Sequence, residues 1–149
     1  MEPIFVAYMG VACMLILSCW GSAWALSSCG NAAVAALKKR PEEMGSYIAL
    51  SAIPSTQGLY GFVGFFFILN KLENPEMTWL TASGILASGL VMGIVGLLTG
   101  IRQGQTLSNG IVAIGNGHNV MAGTLTLAVF PELYAIIGLL TVIFVGGIV

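Results

Sequence analysis

Aspartate is absent from the 149 residues, histidine occurs once, and charged side chains make up only 7% of the chain. Five basic residues, Lys38, Lys39, Arg40, Lys71 and Arg102, face six acids, Glu2, Glu42, Glu43, Glu73, Glu76 and Glu132. So few cations cannot form a nucleic-acid surface, so no nucleic-acid partner is expected. No nucleophile sits with a base, no metal-ligand spacing recurs and no phosphate loop appears, so the chain is not expected to be an enzyme by itself. Cys13, Cys19 and Cys29 are an odd number of thiols inside one apolar stretch, which argues against a disulfide framework or a metal cluster. The amino terminus has no basic stretch before its apolar run, and that run is longer than a signal-peptide core, so it reads as a retained helix. What is abundant is apolar: 57% of the residues are hydrophobic and mean hydropathy is +0.95, far from the globular range.

A membrane-spanning helix needs about 20 apolar residues. The charges divide the chain into four such stretches, near 4–37, 46–70, 77–108 and 117–149, and predict an all-α membrane protein. The first break, LKKRPEEMGS, holds three of the five basic residues. Basic residues concentrate on cytoplasmic loops, so loops 38–45 and 109–117 are expected in the cytoplasm of a multi-pass cell-membrane protein, with both termini and the Lys71–Glu76 loop outside. Arg102, toward the same inner side, agrees with this orientation.

Offset by 74 residues, the two halves resemble one another: Gly10 pairs with Gly84, Gly30 with Gly104, Leu59-Tyr60 with Leu133-Tyr134, and Gly64 with Gly138. A duplicated helical hairpin explains this, with residues 1–74 as one copy and 75–149 as the other. Two crossings separate the copies, so both point the same way. Where the second copy has Glu132, the first has Gly58. The first helix of each hairpin is rich in small residues, among them Gly21, Ser22, Ala25 and Gly30, then Gly89, Gly93, Gly96 and Gly100. Small residues at three- and four-residue spacing let backbones approach, either as ordinary membrane packing or as a tightly wound inner ring. The second helices, with Phe62, Phe65, Phe66 and Phe67 and later Tyr134, Leu139, Leu140 and Phe144, are bulkier and suit a lipid-facing layer.

Glu132 is the one acid deep within a span. An ionised carboxylate there costs at least about 2.5 kcal/mol, so such a residue is a functional-site hypothesis by default. A protonated Glu that merely bonds helices together is the plainer alternative. Ile53, Thr56, Gln57 and Tyr60 recur at i, i+3, i+4 and i+7 and share one helical stripe. Pro54 and Pro131 loosen their helices beside these polar side chains, which turns backbone oxygens near Leu50 to Ile53 toward a ligand or leaves only a tolerated kink. Counted from the inner turns, Thr56, Gln57, Gln103 and Glu132 share one depth. One carboxylate, one hydroxyl, two amide oxygens and a backbone carbonyl suit a hard cation such as Na+ and exceed what a proton carrier requires. Tyr60 either donates its hydroxyl to Glu132 or packs as an aromatic. His118, between Asn116 and Asn119, reads as a turn residue, and Ser55 and Leu127 flank the site without a role.

Three competing readings remain: a carrier of H+ in place of Na+ at Glu132, a small four-helix transporter with a solitary Glu, and a structural or channel protein without ion coupling. PSTQGLYGF at 54–62, GIRQGQ at 100–105 and FPELYAIIGLL at 130–140, on a duplicated hairpin with an acid in the second copy alone, resemble the membrane rotor proteolipid (subunit K, the duplicated c-ring protein) of bacterial V-type (A/V-type) ATPases. The resemblance covers all four helices. It implies a sodium site of Glu132, Thr56, Gln57, Gln103 and the carbonyl of Ile53, with Tyr60 bonding the carboxylate. It also implies a ring of identical copies turning in membrane lipid against a stator subunit with a buried Arg, a central-stalk subunit at the inner loops, and ATP hydrolysis or synthesis in other subunits.

Overall fold

The computed structural model describes residues 2–74 and 76–148. Met1, Pro75 and Val149, three of the four expected hairpin bounds, lie outside the described residues. Among the described residues the chain is all-helical, with α1 (Pro3–Leu37), a 3-10 turn (Pro41–Glu43), α2 (Met44–Ala52), α3 (Ser55–Leu72), α4 (Trp79–Gly115) and α5 (Met121–Ile148). α1, α2 with α3, α4 and α5 make four helical stretches long and apolar enough to cross a membrane, and the protein is an integral membrane protein.

Local chemistry sets the ends. Pro3 opens α1, where its missing N–H is an orphan in any case. Pro41 holds Arg40 out of the helical region at φ −139°, ψ 78°, and so ends the first span. Thr78 caps α4 by accepting the N–H of Thr81 at 3.1 Å. At the far end of α4, Gly117 takes φ +94°, which a side chain would resist. Its N–H bonds the Ile114 carbonyl at 2.9 Å while the His118 N–H bonds that of Ala113 at 3.1 Å, the paired closure of a Schellman motif.

This closure corrects one boundary. The weakly polar run expected as loop 109–117 is helical as far as Gly115, and the turn is confined to 116–120. The reason is packing: Ile111 and Ile114 are buried in the core, and Gly110 and Gly115 lie against Thr124 and Ala36. Gly110 and Gly115 there serve close contact, and only Asn116 and Gly117 make the turn. The second span is likewise two helices, since Pro54 leaves Ile53-Pro54 as a turn between α2 and α3.

α1 and α4 form the central seam. A Cβ added at Gly10 would stand 2.6 Å from Leu86 Cα, at Gly21 2.7 Å from the Gly96 carbonyl oxygen, and at Gly93 2.6 Å from that of Cys13. Backbone thus meets backbone, as small-residue membrane interfaces allow. Contacts keep a near-constant sequence offset along the seam, from Ser18 Oγ to the Met92 carbonyl at 3.5 Å to Cys29 Sγ on that of Gly104 at 3.5 Å, so the helices run parallel. α3 and α5 keep a similar register, with Gly64 against Val142 and Gly146 against Ile68. The hairpins therefore point the same way. Phe62, Phe66, Tyr134, Leu140 and Phe144 are exposed, whereas Phe65 and Leu139 pack against the core. α1 also exposes Phe5, Tyr8 and Trp20, so its outer face remains apolar and uncovered.

The turns at 38–43 and 116–120 meet at one end. Lys39 Nζ donates to Asn116 Oδ1 at 2.7 Å, and Arg40 reaches the Ile114 carbonyl at 3.3 Å while pairing with Glu42 at 2.8 Å. The Glu42 carboxylate beside it holds the Arg40 guanidinium above its ordinary value. Gly93→Val should cost about 1–3 kcal/mol or more, because the obstructing atom is backbone. Gly45→Ala, with nothing within 4 Å of its added Cβ, should leave stability unchanged or raise it by up to about 1 kcal/mol. Thermal unfolding of the two variants in detergent checks the contrast.

Candidate ion-binding site

A polar layer lies between two apolar clusters, one containing Met14, Ile68, Ile85, Met92 and Val142, the other Cys29, Tyr47, Leu50, Leu107 and Ile111. Three segments supply it. α5 carries Glu132 directly after Pro131, which lacks the N–H that would bond the Leu127 carbonyl one turn earlier. α3 begins just beyond Pro54 and presents Thr56, Gln57 and Tyr60 on its first turns, while α4 contributes Gln103. Glu132 lies about 16 Å along α5 from Met121 at 1.5 Å per residue, well within a hydrocarbon core about 30 Å thick.

Four donors converge on the carboxylate. Glu132 Oε2 accepts from Thr56 Oγ1 at 3.0 Å, Gln57 Nε2 at 3.2 Å and Gln103 Nε2 at 2.6 Å. Its Oε1 accepts from the Tyr60 hydroxyl at 2.5 Å. Behind this shell, Gln57 Nε2 also reaches Gln103 Oε1 at 3.2 Å, and Gln103 Nε2 reaches the Ala128 carbonyl at 3.0 Å. Thr56 Oγ1 also lies 3.0 Å from the Ile53 carbonyl, so its one hydroxyl proton serves either that oxygen or Glu132. Gln57 and Gln103 are 0% exposed, so their amide groups depend on partners within the protein.

Every one of these donors is electrically neutral. Arg102 turns outward to Gln105 Oε1 at 3.1 Å and does not enter the site. An ionised Glu132 therefore has hydrogen bonds but no counter-charge among the described residues, and an added cation or proton is what would neutralise it. Among the described residues, no three His, Cys, Asp or Glu side chains group together, so the available ligands are one carboxylate and neutral oxygens, the donor set of a hard cation.

The structure brings together Glu132, Thr56, Gln57, Gln103, Tyr60 and the Ile53 carbonyl. It leaves apart Ser55, whose hydroxyl bonds the Ala52 carbonyl, Leu127, which is exposed, and His118 in the turn between α4 and α5. Two contributors were not expected from sequence. Thr99 donates to Gln57 Oε1 at 2.9 Å, and Ser22 donates to the Pro54 carbonyl at 2.8 Å, tying the α2–α3 turn to α1. Thr99 stands one helical turn before Gln103, a spacing that could have flagged it. Ser22 is one of many small residues in α1 and carries no such signal.

Residues 9–68 and 86–145 each match the model of the ATP synthase C-subunit family. The chain belongs to this family. Its tandem match makes it a duplicated proteolipid, a membrane rotor component and not a catalytic subunit. It is similar to the V-type sodium ATPase subunit K of Enterococcus hirae, 33% identical over 132 residues, which cover 89% of this chain and 84% of that protein. It is also similar to the A-type ATP synthase subunit K of Methanocaldococcus jannaschii, 29% identical over 142 residues, which are 95% of this chain and 62% of that protein.

Gln103→Ala should destabilise this rotor proteolipid by about 1–3 kcal/mol, because the buried Ala128 carbonyl and Gln57 amide lose a partner. Gln105→Ala, at an exposed position, should change stability by less than about 0.5 kcal/mol. Paired melting curves decide whether the buried amide network bears this load.

Proposed function

We propose that this rotor proteolipid carries Na+ at Glu132, one ion per chain, as the moving part of a V-type (A/V-type) ATPase membrane sector. The observation that carries the reading is the convergence of a lone carboxylate, without any cationic partner, with a hydroxyl, two buried amides and a carbonyl at a proline turn. A proton carrier needs a carboxyl group and one partner. Here Gln57 and Gln103 are buried on the same oxygen of Glu132, which suits a larger ion with several ligands.

In the structure both amides turn their nitrogens to the carboxylate. A primary amide holds donor and acceptor at equivalent positions, so a half-turn about its last side-chain bond exchanges them. If Gln57 turns in this way, its oxygen replaces Nε2 beside Glu132 Oε2 and Gln103 Oε1, and three oxygens converge where a cation would be needed to hold them. Thr56 Oγ1 and the Ile53 carbonyl complete the set, and Tyr60 keeps the other carboxylate oxygen occupied. The Enterococcus hirae relative is named for a sodium ATPase, which supports Na+ over H+. The arrangement with both nitrogens inward, which satisfies the carboxylate without any ion, is what favours H+ as the second reading.

The cycle follows from electrostatics. A bound ion neutralises Glu132, so the site can pass through lipid, and the vacated carboxylate needs a cationic partner such as a buried stator Arg while ions exchange. The exposed apolar faces of α1, α3 and α5 fit identical neighbours in a ring and surrounding lipid. Lys38, Lys39 and Arg40 favour a cytoplasmic position for the inner turns, 38–43 and 116–120, where they would meet a central-stalk subunit, with the termini outside. Parallel hairpins and a tandem family match favour this rotor over a small four-helix transporter.

Equilibrium binding of radioactive sodium to the purified assembly tests the ligand set. Glu132→Gln should bind no sodium, and Thr56→Ala should bind it about tenfold more weakly, a loss of about 1.4 kcal/mol. Unchanged affinity in Thr56→Ala would remove that hydroxyl from the ligands.

A further inference from the structure

Thr99 lies outside the ligand set, yet its hydroxyl touches the residue that must change orientation. It stands 2.9 Å from Gln57 Oε1 and 2.7 Å from the Val95 carbonyl on its own helix. One hydroxyl proton faces two acceptors, so it serves one of them at a time. When the proton points to Gln57, the amide oxygen is satisfied and Nε2 is aimed at Glu132. When it points to the Val95 carbonyl, the hydroxyl oxygen presents its lone pairs to Gln57 instead and can accept an N–H from it.

Building on the sodium reading of Glu132, we infer that Thr99 is a positioning residue that lets the Gln57 amide reverse, partnering its oxygen in the empty site and its nitrogen in the loaded one. Gln57 is fully buried, so an amide reversed without such a partner would leave an N–H group orphaned. An orphaned buried N–H is rarer and less tolerated than an under-satisfied carbonyl. Loss of the hydroxyl therefore penalises the loaded orientation more than the empty one. Its effect on sodium reaches the site through Gln57 alone, since Thr99 makes no contact with Glu132, Thr56 or Gln103 among the hydrogen bonds of the site.

The test is radioactive sodium binding to the assembled protein carrying Thr99→Val, Thr99→Ser, Gln57→Ala, or Gln57→Ala with Thr99→Val. Thr99→Val, which keeps shape and removes the hydroxyl, should weaken binding by about tenfold. Thr99→Ser should restore binding to within about twofold of the parent. In the Gln57→Ala background Thr99→Val should add nothing, because the two act as one unit. Parental affinity in Thr99→Val, failure of Thr99→Ser to restore it, or a full additional loss in the double variant would each overturn the inference. Should Thr99→Val fail to assemble, the serine variant and a Thr99→Ala protein are read by the same criteria. Absence of sodium binding in the parent protein would instead sink the sodium reading itself.

Discussion

A carboxylate held inside hydrocarbon must be solvated by the protein, and much of this architecture answers to that requirement at Glu132. Water cannot supply the hydrogen bonds, so α3 and α4 supply them through Thr56, Gln57, Tyr60 and Gln103. For α3 to begin at the right depth the second span has to break, and Pro54 breaks it, with Ser22 holding the turn against α1. Pro131 relaxes α5 one residue before the acid. None of these groups carries positive charge, and that omission is as telling as the contacts. A fixed Arg or Lys would neutralise Glu132 permanently and leave nothing for an ion to do.

The site also depends on a rigid reference. The α1–α4 seam brings backbone against backbone, which leaves little freedom for either helix to slide. α3 and α5 are laid against this seam in the same register, so Thr56 and Gln57 arrive opposite Glu132. At the end where the turns 38–43 and 116–120 meet, Arg40 and Lys39 join them, so the hairpins are tied there as well as along their length. Duplication supplies the parallel frame, and divergence of the first copy to Gly58 leaves one acid per four helices.

Much of this is legible in the sequence, for physical reasons that differ by element. The four spans are set by charge placement, a strong signal in a chain so poor in charge. Ile53, Thr56, Gln57 and Tyr60 are related by helical period and so point to one face, and Gln103 is reached by counting depth from the inner turn. The end of α4 is not legible, because SNGIVAIGNG has the composition of a loop, yet Gly110 and Gly115 prove to be contact points for Thr124 and Ala36 and only Asn116 and Gly117 make the turn. Thr99 escapes a reading of the sequence because a threonine in an apolar helix commonly bonds its own backbone, as this one also does to Val95. The direction each amide faces is set by neighbouring hydrogen bonds and has no sequence signature.

The central claim is that Glu132 is a carboxylate open to exchange between a cation and a proton. Carbodiimide labelling of the purified protein, with and without sodium across a range of pH, tests it most directly. The account predicts modification at Glu132, protection by sodium, and weaker protection as pH falls and protons compete. Labelling at Glu132 that is indifferent to sodium at every pH would contradict the sodium site and remove the ligand roles of Thr56, Gln57 and Gln103.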